Sequence, residues 1–201
     1  MNLVKICGIT EEQEVEYVNE AGVDFMGMVM FFPKSKRNIT VEKASSLIKK
    51  LNPAVTSVAV TVEPTLDQIR EIEAAGIQMI QIHGDISQEL LQEIHIPVIK
   101  AFNVHDLSSY EKYHQADIVK GYIFDAQTPG SGKTFDWSVL SDIPHDEKFA
   151  LLAGGLNPDN VAELRCGERH RNRQRPGEDP EICGECEESV EDVLFQALCG
   201  Q

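Results

Sequence analysis

The chain has 201 residues, enough for one domain with a full core, and its 42% hydrophobic and 25% charged fractions are ordinary for a globular protein. Its formal net charge of −15 argues against nucleic acid or an anionic membrane surface as a partner, but not against a small phosphorylated substrate, which local amide groups can bind. No apolar run approaches a membrane span, and the first residues lack the pattern of a signal peptide. We therefore expect a cytoplasmic protein with reduced thiols.

The body of the chain alternates short apolar runs with helical patterns, which indicates βαβ units and a parallel sheet. Strands are predicted at residues 3–7, 25–31, 56–62, 79–82, 98–102, 121–125 and 149–153. Helices are predicted at residues 11–21, 41–51, 64–75, 87–94 and 107–114, with another beginning at Pro158. Candidate functional residues recur at the strand ends, which favours a closed (β/α)8 TIM barrel over an open doubly wound sheet. The predicted fold class is therefore α/β.

The eighth βα unit is predicted to be aberrant or missing. An eighth strand should follow residue 168, but residues 170–179 contain no apolar side chain that could line a barrel. Residue usage also changes here, because lysine is absent after Lys148 while arginine becomes frequent from Arg165 onward. We therefore divide the chain into a barrel body at residues 1–163 and an atypical tail at residues 164–201.

Five segments of the body resemble the phosphoribosylanthranilate isomerases of tryptophan biosynthesis, a family of (β/α)8 barrels. They are KICGIT at residues 5–10, FPKSKR at 32–37, QIHG at 81–84, FD at 124–125 with PGSGKTFDW at 129–137, and LAGGLNP at 152–158. Their common order and spacing make the resemblance specific. It implies an Amadori rearrangement of N-(5-phosphoribosyl)anthranilate to the aminoketose 1-(2-carboxyphenylamino)-1-deoxyribulose 5-phosphate, with no metal and no organic cofactor. The family includes monomers and homodimers, so the oligomeric state stays open.

The resemblance implies that Cys7 is the general base and Asp125 the general acid. On the residues alone, Cys7 could equally be a small buried hydrophobe and Asp125 a cap of the following loop. A thiol is a weak base at neutral pH unless its thiolate is favoured. Lys5 lies two residues earlier on the same strand, so both side chains should point into the barrel, where the ammonium could favour the thiolate.

The resemblance also implies the substrate-binding residues. Arg37 matches the arginine that meets the anthranilate carboxylate, for which a planar guanidinium is suited, although it could be a solvated loop charge. His83 and Gln81 alternate on the inward face of the fourth predicted strand, and a structural role for them stays open.

Glycines supply the remaining predicted contacts. Gly130 and Gly132 lie in a loop expected to cover the substrate. Gly154 and Gly155 match half of the phosphate site, because glycines let backbone N–H groups approach an anion. Glycines that serve only as turns would give the same sequence pattern.

The tail leaves three alternatives open. Read one nucleotide later, codons for residues 170–178 can encode Ile-x-Ile-Asp-Ser-Gly-Leu-Glu, which resembles the family's eighth strand and serine-glycine loop. The chain could thus be a frame-shifted product with impaired or no activity. A second alternative is another phosphate-binding barrel enzyme. Cys7 argues against it, because such enzymes are not expected to have a catalytic cysteine at the end of the first strand. A zinc site built on Cys183 and Cys186, with Cys166, His170 or Cys199, is the third and weakest, since the spacing fits no zinc pattern.

Overall fold

The computed structural model describes residues 3–103, 106–125 and 148–153, and the backbone of residues 193–198. Its strands are β1 (Val4–Cys7), β2 (Phe25–Met30), β3 (Asn38–Ile39), β4 (Thr56–Val62), β5 (Met79–His83), β6 (Val98–Asn103), β7 (Val119–Asp125), β8 (Phe149–Leu152) and β9 (Val193–Leu198). Its helices are α1 (Glu12–Ala21), α2 (Val41–Ile48), α3 (Leu66–Ala74), α4 (Gln88–Gln92) and α5 (Tyr110–His114). All seven strands predicted for the body are present, within two residues of the expected bounds. No helix in the described parts of the chain is long and apolar enough to cross a membrane.

Short polar side chains begin several of these helices. The hydroxyl groups of Thr40, Thr65 and Ser87 each accept a hydrogen bond from a backbone N–H of the first helical turn. Such caps satisfy donors that the helix itself leaves without partners. At the end of α1, Gly22 adopts the left-handed conformation (φ 62°) that glycine tolerates best. These caps fix where each helix starts relative to the strand before it.

The sheet is parallel and closes on itself. Its neighbours run in the order β1, β9, β8, β7, β6, β5, β4, β2, and β2 pairs back with β1, while the two-residue β3 lies against the end of β2. The eighth place in the ring is held by β9, whose backbone pairs with β8 on one side and β1 on the other. The (β/α)8 class with an aberrant eighth unit is therefore confirmed, and a tail segment outside the predicted elements supplies the closing strand.

Two apolar layers follow from the alternation of side chains along each strand. The inner layer fills the barrel and includes Phe25, Val58, Met79, Ile99 and Ile123. The outer, larger layer packs the sheet against the helices, with side chains such as Met28, Ile72, Ile80 and Phe102. Inward-facing side chains at the carboxyl-terminal ends of the strands therefore line the mouth of the barrel.

The predicted helix at Pro158 lies outside the described residues. The same holds for the cysteines of the proposed zinc site and for most of the tail.

Candidate active site

Three predicted site residues are the last residues of their strands. Cys7 ends β1, His83 ends β5 and Asp125 ends β7. Each lies two residues after an inward-facing residue of its strand, so its side chain is directed toward the barrel axis. Because the strands are parallel, all three lie at the carboxyl-terminal mouth of the barrel, where enzymes of this fold place their active sites.

Cys7 and Lys5 form the buried side of this mouth. Cys7 is a free thiol, 4% exposed, and Lys5 is fully buried. The Lys5 Nζ makes no hydrogen bond to any described residue. A methyl carbon added at Gly27 of β2 would lie 2.8 Å from the Cys7 Sγ and 2.9 Å from the Lys5 Nζ, so the thiol and the ammonium flank one small gap.

Gln81 and His83 face the same interior from β5. The Gln81 Nε2 lies 2.7 Å from the His83 Nε2, and with the amide donating, the imidazole is neutral with its proton on Nδ1. Burial, with the charges of Lys5 and Lys100, lowers the pKa of His83 to about 4. The Gln81 Oε1 is buried without a hydrogen-bond partner among the described residues. A buried polar atom left without a protein partner is a natural contact for a polar ligand.

Asp125 completes the inward-facing titratable set. It pairs in register with Asn103 at the end of β6 and is partly exposed. A carboxyl group at the mouth can exchange a proton with a bound substrate, while the thiol lies deeper in the barrel. The Asp125 carboxyl and the Cys7 thiol thus lie at the same mouth, and the thiol is the more buried of the two.

Arg37 lies over the turn that follows Cys7. Its Nη1 donates to the Gly8 carbonyl oxygen (3.0 Å) and to Glu14 Oε1 (2.8 Å). Although burial acts in the opposite direction, hydrogen bonds from Thr10, Arg37 and Glu11 lower the pKa of the Glu14 carboxyl below its usual value. The Arg37 side chain is about one-third exposed, so it lies at the rim of the mouth while its two hydrogen bonds hold it in place.

The remaining predicted site residues cannot be placed. Gly130, Gly132, Gly154 and Gly155 lie outside the described residues, so the covering loop and the phosphate site stay predictions. No cluster of three or more His, Cys, Asp or Glu in the described part of the chain could hold a metal ion.

The structure adds two residues that the sequence analysis did not select. Glu14 orients Arg37, and its signal was its place three residues into the first helix, where it also completes a capping box with Glu11. Gly27 leaves the gap between Cys7 and Lys5, and its signal was a glycine in the interior of a buried strand.

The family model for N-(5'-phosphoribosyl)anthranilate (PRA) isomerase matches residues 4–169. This chain belongs to the PRA isomerase family. The match ends a few residues beyond the predicted body, so nearly all of the tail lies outside it. PRA isomerases are aldose-ketose isomerases of tryptophan biosynthesis, which agrees with the function predicted from the five segments.

Individual PRA isomerases are similar over most of their length. The enzyme of Streptococcus gordonii is 39% identical over 164 residues, covering 81% of this chain and 80% of that protein. The enzyme of Geotalea uraniireducens is 38% identical over 170 residues, with 81% of each chain covered. The crystal structure of the Thermotoga maritima PRA isomerase has a TM-score of 0.74 at 32% identity, covering 98% of this chain and 88% of that one.

A further solved structure carries a ligand. It is a PRA isomerase in complex with reduced 1-(o-carboxyphenylamino)-1-deoxyribulose 5-phosphate, 28% identical to this chain with a TM-score of 0.73, covering 98% of this chain and 87% of that one. That relative therefore binds a reduced carboxyphenylamino sugar phosphate.

Proposed function

We propose that this chain converts N-(5-phosphoribosyl)anthranilate into 1-(2-carboxyphenylamino)-1-deoxyribulose 5-phosphate by general acid-base catalysis. The observation that carries the proposal is the inward-facing set at one barrel mouth: Cys7 with the buried Lys5 beside it, and Asp125 at the end of β7. Family membership supplies the substrate, and this set supplies groups able to move the two protons that the reaction needs.

In the first step Asp125 donates a proton to the furanose ring oxygen. The C1–O bond breaks, and the lone pair of the anthranilate nitrogen forms an iminium with C1. A carboxyl group can act as this acid only while it is protonated in the bound complex, so contact with the substrate must favour its neutral form. The substrate nitrogen takes the role of electron sink, and no cofactor is part of the step.

In the second step Cys7 removes the proton on C2. The C2–H electrons form a C1=C2 double bond, which neutralises the iminium and gives an enolamine. Loss of the enol hydroxyl proton and protonation of C1 then yield the ketone, so atoms and electrons balance. Lys5, buried and without a hydrogen-bond partner among the described residues, stabilises the thiolate that this step requires.

Other side chains hold the substrate in place. The exposed part of the Arg37 guanidinium binds the anthranilate carboxylate, and His83 and Gln81 contact the sugar from the inner wall. Because His83 is neutral, it adds no positive charge beside Lys5. We assign the phosphate to the backbone N–H groups of Gly154 and Gly155, and closure over the substrate to the loop with Gly130 and Gly132.

A substrate deuterated at C2 separates the two roles. In Cys7→Ser, removal of the C2 proton becomes rate-limiting, so turnover falls steeply and shows a large primary isotope effect. In Asp125→Asn, ring opening becomes rate-limiting, so turnover falls and the isotope effect approaches unity. Full turnover in either variant, or the reversed isotope pattern, would contradict the assignment.

A catalytically impaired product is the second candidate, because the family match ends at residue 169 and the tail does not continue it. We propose that the tail at residues 164–201 replaces the eighth unit of the body. Its backbone strand β9 closes the ring, which supports a folded barrel. A cooperatively melting but inactive wild-type chain would favour impairment, whereas normal turnover would exclude it.

We further propose a cytoplasmic location and leave monomer and homodimer as the two assembly states. Membership of a biosynthetic enzyme family supports the cytoplasmic location. The structure of monomers generated from the dimeric PRA isomerase of Thermotoga maritima, 28% identical to this chain, supports both assembly states. Sedimentation of the purified protein distinguishes the two states.

A further inference from the structure

Gly27 stands directly beside the proposed base. It occupies the inner face of β2 and pairs in register with Cys7 of β1. A methyl carbon built on Gly27 would lie 2.8 Å from the Cys7 Sγ, 2.9 Å from the Lys5 Nζ and 3.2 Å from the Lys5 Cε. Contacts below 3.0 Å cannot persist, so any side chain at Gly27 must displace the thiol, the ammonium or both.

The atoms that would have to move are the two functional ones. The Lys5 ammonium is the end of a flexible side chain, and the Cys7 sulfur moves by rotation about one bond. No backbone atom is among the three nearest contacts of the added carbon. A small side chain at Gly27 is therefore compatible with the fold but not with the present arrangement of Lys5 and Cys7.

The backbone of Gly27 also holds the turn that follows Cys7. Its carbonyl oxygen accepts hydrogen bonds from Gly8 N (2.9 Å) and Ile9 N (3.0 Å). Alanine keeps this carbonyl, so the substitution changes the space beside Cys7 while leaving these two hydrogen bonds possible.

Among the described residues, few charged side chains other than Lys5 face the Cys7 thiol. Among the described side chains, the titratable groups that face the interior from β1, β5 and β7 are Lys5, Cys7, His83 and Asp125. Arg37 and Glu14 lie at the rim. The inward-facing residues of β2, β4, β6 and β8 carry no titratable group, and His83 is neutral at pH 7. Lys5 is therefore the buried cation nearest to the thiol on these strands.

We propose that Gly27 is a positioning residue of the isomerase, whose missing side chain lets the Lys5 ammonium and the Cys7 thiol share one gap. The inference rests on the proposed role of Cys7. Its consequence is that the rate of C2 proton removal depends on a residue that never touches the substrate, because displacing a base by about 1 Å can cost roughly 100-fold in rate.

The test compares Gly27→Ala with Gly121→Ala in the full chain. A methyl group at Gly121 of β7 would meet the Phe149 ring at 2.2 Å, and its three nearest contacts are all atoms of that ring, so this control overfills the same barrel at a different side chain. For each variant, kcat, KM and melting temperature are measured. The pH dependence of iodoacetamide alkylation is followed on the Cys7 peptide by mass spectrometry, which excludes signal from the tail cysteines.

Gly27→Ala is expected to lower kcat about 10- to 100-fold with little change in KM, and to move Cys7 alkylation to higher pH. Gly121→Ala is expected to lower the melting temperature and to keep the alkylation profile. In a Lys5→Met background Gly27→Ala should no longer shift the pH of Cys7 alkylation, since that shift depends on the Lys5 charge. A folded Gly27→Ala protein with wild-type kcat and alkylation profile would overturn the proposal.

Two further outcomes stay informative. If Gly27→Ala does not fold, Lys5→Met alone must still move Cys7 alkylation to higher pH, and an unchanged profile would overturn the proposal. If Cys7→Ala retains turnover, the proposed function fails instead. The alkylation measurements do not depend on turnover, so the two failures are distinguishable.

Discussion

Arg37 Nη1 lies 2.8 Å from Glu14 Oε1, an ion pair that joins the loop after β2 to the first turn of α1. The same nitrogen donates to the carbonyl oxygen of Gly8, the residue that follows Cys7. Arg37, the proposed carboxylate-binding residue, is thus held against the turn that follows Cys7, the proposed base. Movement of this turn or of the loop after β2 would change the distance between the guanidinium and the thiol.

Glu14→Gln is expected to raise KM a few-fold and to leave kcat nearly unchanged. The amide keeps an oxygen that can accept from Thr10 N and Glu11 N, so the helix start survives, but the charge that orients Arg37 is lost. Steady-state kinetics measures both constants. Glu12→Gln is the matched control, since Glu12 lies in the same turn and pairs with exposed Lys50 at the surface. Equal effects of the two substitutions would contradict a specific role of Glu14.

His83 makes stability depend on pH in a predictable direction. Its pKa is about 4 in the folded protein, against about 6.5 in an unfolded chain. Between these values the unfolded chain binds a proton that the folded protein does not, so stability is lost as pH falls from 6.5 toward 4. His83 is partly exposed, and solvent weakens the effect. We therefore expect the free energy of unfolding to fall by an amount on the order of 2 kcal/mol.

His83→Gln should remove that part of the pH dependence. Urea unfolding at pH 7.5 and pH 4.5 gives the loss for each protein, and the variant should lose less than the wild type. His95→Gln is the control, because His95 is exposed and lies beside Glu73. An identical loss in wild type and His83→Gln would show that folding does not lower the pKa of His83.

Tyr113 of α5 makes two hydrogen bonds to the loop that follows His83. Its hydroxyl group donates to Asp85 Oδ1 (2.6 Å) and accepts from Ile86 N (3.1 Å). Tyr113→Phe should destabilise the protein by about 1–3 kcal/mol, since a buried N–H loses its partner. Amide exchange at Ile86 should accelerate more than in the core strands. The exposed Tyr17→Phe should change neither quantity, and an unaltered Ile86 exchange rate in Tyr113→Phe would refute the role.

Lys100 is a buried ammonium in the outer layer, 4.7 Å from the centre of the Phe102 ring and 4.9 Å from that of Tyr113. Burial, reinforced by Lys112 and opposed by Asp85, lowers its pKa to about 8. Between about pH 8 and 10.5 the unfolded chain therefore binds the extra proton, and stability rises with pH.

Lys100→Met should abolish this rise. From pH 7.5 to 9.5 the wild type should gain on the order of 1 kcal/mol relative to the variant. Chemical denaturation at the two pH values provides the comparison, with the surface substitution Lys43→Met as control. A constant difference between wild type and Lys100→Met would show that the lysine titrates normally.

The sequence was sufficient to predict the residues at the strand ends. Alternating apolar runs located β1, β5 and β7, and their last residues Cys7, His83 and Asp125 could be assigned to one mouth because parallel strands end together. The fold class and the family followed from the same segments, and both are confirmed.

Long-range contacts could not be predicted in this way. The pairing of Arg37 with Glu14 depends on how two loops meet, and the gap beside Gly27 exists only because β1 and β2 are in that register. The closing strand β9 was not predicted because its segment lies far from the position expected for an eighth strand. Backbone hydrogen bonds between parallel strands require no particular side chains, so an open position between β8 and β1 can accept such a segment.

The most direct test of the account is turnover of N-(5-phosphoribosyl)anthranilate by the purified 201-residue chain, followed by chromatographic separation of the aminoaldose and aminoketose. We expect sustained conversion by the wild type, and loss of conversion in Cys7→Ala and Asp125→Ala with melting curves preserved. Conversion that persists in either variant, or a folded wild-type chain that converts no substrate, would contradict it.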